Sequence, residues 1–270
     1  MSRATAELTL ATCQAGPTFS LSRALAGYLS DYLARPVRFL DGADWRDTYS
    51  AIAAGRIDIG WICGQPYVDL LAAGAPISLL AAPVMAGARY GGRPVYFSDV
   101  IVRRDSRFRH FADLRGASWA YNEPGSHSGY HVTRYHLARL GETERYFGRI
   151  VGSGSHARSL ELILAGAVDA SAIDSTVLEW VLAGDSTLAS RLRVIETLGP
   201  SPSPPLIVAG EQGMALREQL RASLLALPAT AEGRSILAAG GLARFAAVAD
   251  SDYDAIRAMA EVAQAAPDFV

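Results

Sequence analysis

The sequence predicts an α/β protein of two lobes, each lobe a mostly parallel sheet flanked by helices. Three observations carry this. Short apolar runs alternate with helical stretches of about ten to fifteen residues, the signature of βαβ units. The alternation stops and restarts near residue 95. A stiff stretch, Ser201-Pro202-Ser203-Pro204-Pro205, then precedes one more strand-like run. Two lobes joined by hinge crossings near 95–100 and 200–206 are the economical arrangement. Lobe 1 is then 1–96 with 205–270, and lobe 2 is 97–204. Open α/β sheets bind ligands beyond the carboxyl ends of their strands, which places the expected site in the cleft between lobes.

In the first lobe Leu8–Thr12 reads as a strand. Phe19–Leu33 reads as a helix, with Leu21, Leu25, Tyr28, Leu29 and Tyr32 at helical spacing. Val37–Leu40 is a strand, Trp45–Ala54 a helix stopped by Gly55, and Ile57–Ile62 a strand. Tyr67–Ala73 is a short helix ended by Gly74, and Ile77–Pro83 a strand. In the second lobe strands are expected at Tyr96–Arg103, Ser118–Tyr121, Arg149–Val151, Ala170–Ile173 and Arg193–Thr197. A helical turn at 110–116 and helices at Ser128–Leu140, Ala157–Ala165 and Ser175–Ala183 lie between them. Leu206–Ala209 returns as a strand, and 214–265 reads as mostly helical.

Half of the residues are apolar and 19% are charged, so a sizeable core is available. A net charge of −2 argues against a general nucleic-acid binder. It does not exclude a small anion, which local donors can hold. No apolar run reaches the roughly 18 residues that a membrane span needs. Met1–Glu7 carries no signal-peptide apolar core. The expected compartment is therefore periplasmic or extracytoplasmic if a leader has been removed, and cytoplasmic otherwise. Cys13 and Cys63 are too few for a disulfide scaffold. Each closes a short apolar run, and both a bridge and free thiols stay open.

The main chemical motif is Asn122-Glu123-Pro124-Gly125-Ser126-His127-Ser128-Gly129-Tyr130, between a strand and a helix. The first turn of a helix has unpaired N–H groups and a positive dipole end, so an anion fits there. The hydroxyls of Ser126 and Ser128 add donors. Plain helix capping by either serine is the alternative. A second strand-to-helix turn, Val151-Gly152-Ser153-Gly154-Ser155-His156-Ala157, sets His156 at a helix start. It is either an anion donor or a solvated loop residue. Asp174, after Ala170-Ser171-Ala172-Ile173, either meets a ligand or caps the next helix. Trp45, Trp61, Tyr67, Tyr96 and Tyr121 lie near strand ends or loops, where aromatics line a cleft or fill a core.

Other readings fit less well. Gly152–Ala157 satisfies a relaxed dinucleotide fingerprint, but it occurs once, mid-chain. Gly125–Gly129 has a histidine where a nucleophile elbow needs serine. His127 and His131 have metal-ligand spacing but no evident third ligand. No metal and no cofactor are expected.

Taken together, the chain resembles the phosphonate-binding, PhnD-like group of periplasmic substrate-binding proteins of ABC transporters. The resemblance runs through Trp45, Ala53–Trp61, Pro66-Tyr67, Tyr96–Ser106 and Phe111–Gly116. It is strongest at Glu123–Gly129 and Gly154-Ser155-His156, and continues through Gly166–Ala170, Ile173–Ser175 and Asp252–Arg257. It implies a type II periplasmic-binding-protein fold that closes over a small tetrahedral oxyanion: a phosphonate, phosphate or phosphite. It implies Ser126, His127, Ser128 and His156 as oxyanion ligands, with Asp174, Tyr96, Trp45 and Tyr67 around them. His127 stands where the family usually has threonine, and Trp45 where it often has tyrosine. The implied partners are the oxyanion and a membrane permease, with the chain a monomer. The alternative is a cytosolic enzyme on the same fold acting on a small carboxylate. There His127 or His156 would be acid or base with Asp174 as partner.

Overall fold

The computed structural model describes residues 7–14, 17–42, 45–142, 145–210, 212–264 and 268–269. The chain divides into two compact units. One is Met1–Val95 with Pro202–Tyr253; the other is Tyr96–Ser201 with Asp254–Val270. In chain order the first segment gives β1 (Leu8–Thr12), α1 (Pro17–Leu33), β2 (Val37–Phe39), α2 (Trp45–Ala53), β3 (Ile59–Trp61), α3 (Gly64–Ala72) and β4 (Ile77–Met85). The middle segment gives β5 (Val95–Arg103), β6 (Ser118–Tyr121), α4 (Val132–Arg139), β7 (Arg149–Gly152) and α5 (His156–Leu164). It continues with β8 (Ala170–Asp174), α6 (Ser175–Gly184), α7 (Leu188–Arg191) and β9 (Leu192–Pro202). The last gives β10 (Leu206–Ala209), α8 (Met214–Ala226), α9 (Ala231–Ala239), β11 (Leu242–Ala246) and α10 (Asp254–Ala263).

The sheet of the first unit has the order β11-β4-β10-β3-β1-β2, and that of the second β7-β6-β8-β5-β9. β1 pairs in parallel with β2 and β3, as β6 does with β7 and β8. β10 and β11 run antiparallel to their neighbours in the first sheet, and β5 runs antiparallel to β8 in the second. The sheets are therefore mixed rather than mostly parallel. β5 and β10 begin just after the chain passes between units, and each joins its sheet without a crossover helix to turn it parallel.

Two further points differ from the sequence reading. The stretch 214–265 includes a strand, β11, with Leu242, Phe245 and Ala246 buried. Its short pattern is lost among alanines, which favour the helical reading. The final segment also belongs to the second unit, not the first, so the chain passes between units three times rather than twice. The cause is packing. Phe269 enters a ring cluster with Tyr121, Tyr130 and Phe147 at centroid distances of 6.0, 5.2 and 6.0 Å.

In the second unit both faces of the sheet are covered, and the period-2 alternation of its strands divides the core. Trp119 and Tyr121 join Phe111, Tyr130, Phe147 and Phe269 on one side. Ala120 joins Leu160, Ile163, Ile173 and Leu178 on the other.

Each unit repeats one clamp. A helix ends at a glycine of positive φ, Gly55 or Gly166, and three residues later an aspartate precedes the next strand. The Asp58 carboxylate accepts from the Thr9 amide and hydroxyl, both at 2.8 Å. The Asp169 carboxylate accepts from the Ser118 amide at 2.8 Å and hydroxyl at 2.6 Å. The hydroxyl in turn accepts the aspartate's own N–H, at 3.0 Å for Thr9 and 2.9 Å for Ser118. The clamp ties the starts of two parallel strands, β1 to β3 and β6 to β8, and so fixes which residues end together at the other edge. Hydrogen bonds to a charged group contribute about 1.5–3 kcal/mol. Asp169→Ala is expected to lower unfolding free energy by about that amount, read as a lower urea midpoint at unchanged m-value.

Candidate functional site

The site grows from the carboxyl ends of β6, β7 and β9. After β6, Ser126 caps the next helix, its hydroxyl oxygen accepting the Gly129 N–H at 3.2 Å. The capping alternative is thus realised for this serine, whose O–H is still a donor. The first turn, His127–His131, is a π turn. The His131 N–H reaches back to the Ser126 carbonyl at 3.1 Å, and the Val132 N–H to that of His127. The turn runs straight into α4. Such wide turns recur at functional sites, and the first N–H groups of any helix lack intrahelical acceptors. After β7, Ser155 caps α5 by accepting the Arg158 N–H at 3.1 Å, which makes His156 the first helical residue.

Two hydroxyl–imidazole bonds join these segments. Ser128 Oγ lies 3.0 Å from His156 Nε2, and Ser201 Oγ, near the end of β9, lies 2.9 Å from His127 Nε2. All four residues are buried. The Tyr96 ring stands 6.4 Å from that of His127, centroid to centroid. Gly129 closes the group: a Cβ there would stand 2.0 Å from Asn122 Oδ1 and 3.1 Å from His156 Cε1. The absent side chain is what lets the asparagine and the imidazole approach the turn.

Neither His127 Nδ1 nor His156 Nδ1 has a protein partner, although both are buried. When each serine donates to Nε2, the proton of the neutral ring sits on Nδ1, leaving two buried N–H donors unsatisfied. Burial pushes His127 down to about 3, with His131 adding to the effect. Burial alone takes His156 to about 4. His131 falls to about 4 through burial and the nearby Arg134 charge, against its bond to the Pro124 backbone. The donors at this site are therefore uncharged near neutral pH.

The second unit thus brings Ser126, His127, Ser128, His156 and Tyr96 together, as the sequence motifs implied. Asp174 ends β8 but is engaged otherwise: its Oδ1 accepts from the Thr176 N–H at 2.8 Å and hydroxyl at 2.7 Å. It is the cap of α6, its carboxylate bonded to Thr176 rather than to either histidine among the described residues. Burial raises it to about 6, against the Thr176 and Val177 bonds and with the Asp99 charge adding. Tyr67, in the first unit, is 2% exposed, donates to Asp250 at 2.9 Å and packs 4.7 Å from the Tyr253 ring. It is thus buried, with its ring and hydroxyl engaged by residues of the first unit. Trp45 begins α2 half-buried, with the Arg46 guanidinium 4.5 Å from its ring. Asn122 and Gly129 lie inside the main motif without a role assigned by it, and Ser201 lies outside it. A glycine one turn inside a helical pattern is the signal that marks a close approach; nothing local marks Ser201.

A model of the ABC-transporter phosphonate periplasmic substrate-binding family matches residues 18–253. The chain belongs to that family. It is the substrate-binding component of an ABC-type uptake system. Among solved structures, the family member is similar to a binding protein component of an ABC phosphonate transporter from Pseudomonas aeruginosa. Identity there is 20% over 96% of this chain and 87% of that one, with a TM-score of 0.83. It is similar to PhnD1 from Prochlorococcus marinus in complex with methylphosphonate, at 17% identity over 94% and 97% of the two chains and a TM-score of 0.82. The periplasmic aliphatic sulphonate binding protein SsuA from Escherichia coli follows at 17% identity, 96% and 85% coverage and a TM-score of 0.64. At these identities the likeness shows the type II periplasmic-binding-protein fold. No helix among the described residues is long and apolar enough to cross a membrane.

Two outcomes are expected of this family member. Gly129→Ala drives a methyl group into Asn122, so ligand affinity should drop at least about tenfold and stability by about 1–3 kcal/mol; calorimetry and urea melts read both. The four depressed histidines, His127, His131, His136 and His156, bind protons in the unfolded chain, below about pH 6.5, before they do in the native one. Unfolding free energy should therefore fall as pH drops from about 6.5 toward 4. The raised Asp69 and Asp174 act the other way, Asp174 between about 6 and 3.8, two groups against four. His127→Gln should flatten the acid-side slope in urea titrations.

Proposed function

We propose that the chain captures a small tetrahedral oxyanion, a phosphonate, phosphate or phosphite, at the start of the helix that runs from His127 into α4. It would then present that ligand to a membrane permease. The observation that carries this reading is the pair of buried imidazoles whose Nδ1 atoms lack partners. An unsatisfied buried donor costs about 1–3 kcal/mol, and an anionic oxygen placed there would remove that cost. The Ser126 hydroxyl, whose O–H is not spent on an imidazole, and the first N–H groups of the wide turn supply further donors with the right polarity. The methylphosphonate complex of PhnD1 supports the ligand class. The periplasm as compartment and a monomeric state are part of the same proposal.

A hydroxyl 3.0 Å from an imidazole is also how a hydrolase activates serine. Two features favour binding over catalysis. His156 Nδ1 has no carboxylate to orient it or to stabilise an imidazolium. A pKa of about 4 makes it a weak base, where a general base works best with a value near the operating pH. The acid–base partnership with Asp174 is likewise not assembled, since that carboxylate bonds to Thr176.

Isothermal calorimetry with methylphosphonate, phosphate and phosphite tests the proposal. The double variant Ser126→Ala with His156→Ala should lose affinity by on the order of 100-fold or more, two charge-assisted bonds at about 1.5–3 kcal/mol each. Circular dichroism should show it still folded. Unchanged affinity in that variant defeats the proposal.

A further inference from the structure

We infer that this site takes its oxyanion singly charged and carrying one acidic proton, and that Asn122 is the residue that reads the proton. The inference rests on the oxyanion reading given above and specifies the form of ligand it admits.

The first observation is the type of donor. Among the described residues the group is lined by hydroxyls, backbone N–H groups and neutral imidazoles. Of the arginines of the neighbouring helices, Arg134 lies over the Tyr130 ring, Arg158 pairs with Glu161, and Arg257 pairs with Asp254. A second negative charge brought to a buried place without a cation would have to do without the partner that normally offsets its lost hydration.

The second observation is the acidic side of the neighbourhood. The wide turn packs against β8, α4 and α10. From β8 the charged group is Asp174; from α4 they are Arg134, His136 and Arg139; from α10 they are Asp254, Arg257 and Glu261. His131 lies on the turn itself, and Tyr96 stands beside His127. α5 packs on β6 and β8 and carries Arg158 and Glu161, paired at its surface. Asp99, fully buried on β5, accepts the Thr197 hydroxyl at 2.8 Å. The buried carboxylates at this end of the sheet are thus Asp99 and Asp174, joined by the Glu123 carboxylate beside Asn122, whose Oε2 is buried; all three oppose a dianion.

The third observation is an acceptor with nothing to accept. Asn122 is 9% exposed, and its Oδ1 is buried without a partner. It lies at the turn, against Gly129, the glycine that His156 Cε1 also approaches. A hydrogen phosphonate, dihydrogen phosphate or hydrogen phosphite offers an O–H to this carbonyl oxygen. A dianion or a sulfonate offers only lone pairs, which leaves the acceptor unsatisfied and repelled.

Calorimetry across about pH 5.5–8.5, in two buffers of different ionisation enthalpy, tests this with methylphosphonate, methanesulfonate and sulfate. Methylphosphonate affinity should be level below the ligand's second pKa. Above it, affinity should fall about tenfold per pH unit, with about one proton taken up per ligand. Methanesulfonate, a monoanion without an acidic proton, should bind at least about tenfold more weakly at the low end. Sulfate should bind more weakly still. In Asn122→Ala the preference for methylphosphonate over methanesulfonate should collapse toward unity. An affinity that stays level or rises through the second pKa overturns the inference, as does a preference that survives Asn122→Ala. Tight sulfate binding overturns it too, while leaving the oxyanion reading intact. Absence of binding to every oxyanion at every pH removes both. The wild-type pH series decides the charge question even if the variant does not fold.

Discussion

Two buried hydroxyl–imidazole bonds hold this site together, Ser128 to His156 and Ser201 to His127. Each spans segments that are far apart in sequence, and each commits one nitrogen of a ring so that the other is left unpaired. A neutral hydrogen bond contributes only about 1 kcal/mol net to stability. Its larger effect here is orientation. A ring held at one nitrogen and packed on all sides presents the other in a fixed direction, which is what preorganised recognition requires. Burial keeps both rings uncharged near neutral pH.

The fold supplies those bonds by controlling strand ends. The aspartate clamp ties β6 to β8 at their starts. With one edge fixed in register, the other ends follow at a repeat of about 3.3 Å per residue. On the other side of β6, its own parallel pairing with β7 sets Tyr121 opposite Gly152, so the two loops leave the sheet side by side. The same clamp ties β1 to β3 in the first unit. The device is thus a property of the βαβ unit and not of the site, which occurs once.

The fold does not select the ligand. Relatives of the same architecture include a phosphonate transporter component and a sulphonate binding protein. What distinguishes this chain lies in a few side chains grafted on shared strand ends. His127, buried beside Tyr96 and bonded to Ser201, gives the turn a second imidazole. Gly129 gives up its side chain to admit Asn122. A serine–imidazole pair becomes a binding device rather than a catalytic one when nothing stabilises the imidazolium.

The sequence by itself determined the two-unit α/β plan, because alternating apolar period and glycine stops are local signals that survive in any context. It also determined the strand-to-helix turns at Ser126–Ser128 and Ser155-His156, since glycine, serine and histidine cluster there in sequence. Only the tertiary structure decided which of these residues meet. Ser201 reaches His127 across 74 positions, and no local pattern encodes such a bond. Asp174 caps a helix, one of the two roles its position offers, and Tyr67 bonds Asp250 and packs on Tyr253, partners that no local pattern names. The last segment joined the second unit because Phe269 completed a cluster of rings that is visible only once the chain has folded. Local pattern specifies elements; which side chains become neighbours is fixed by burial summed over the whole chain, and that sum cannot be read from any one stretch.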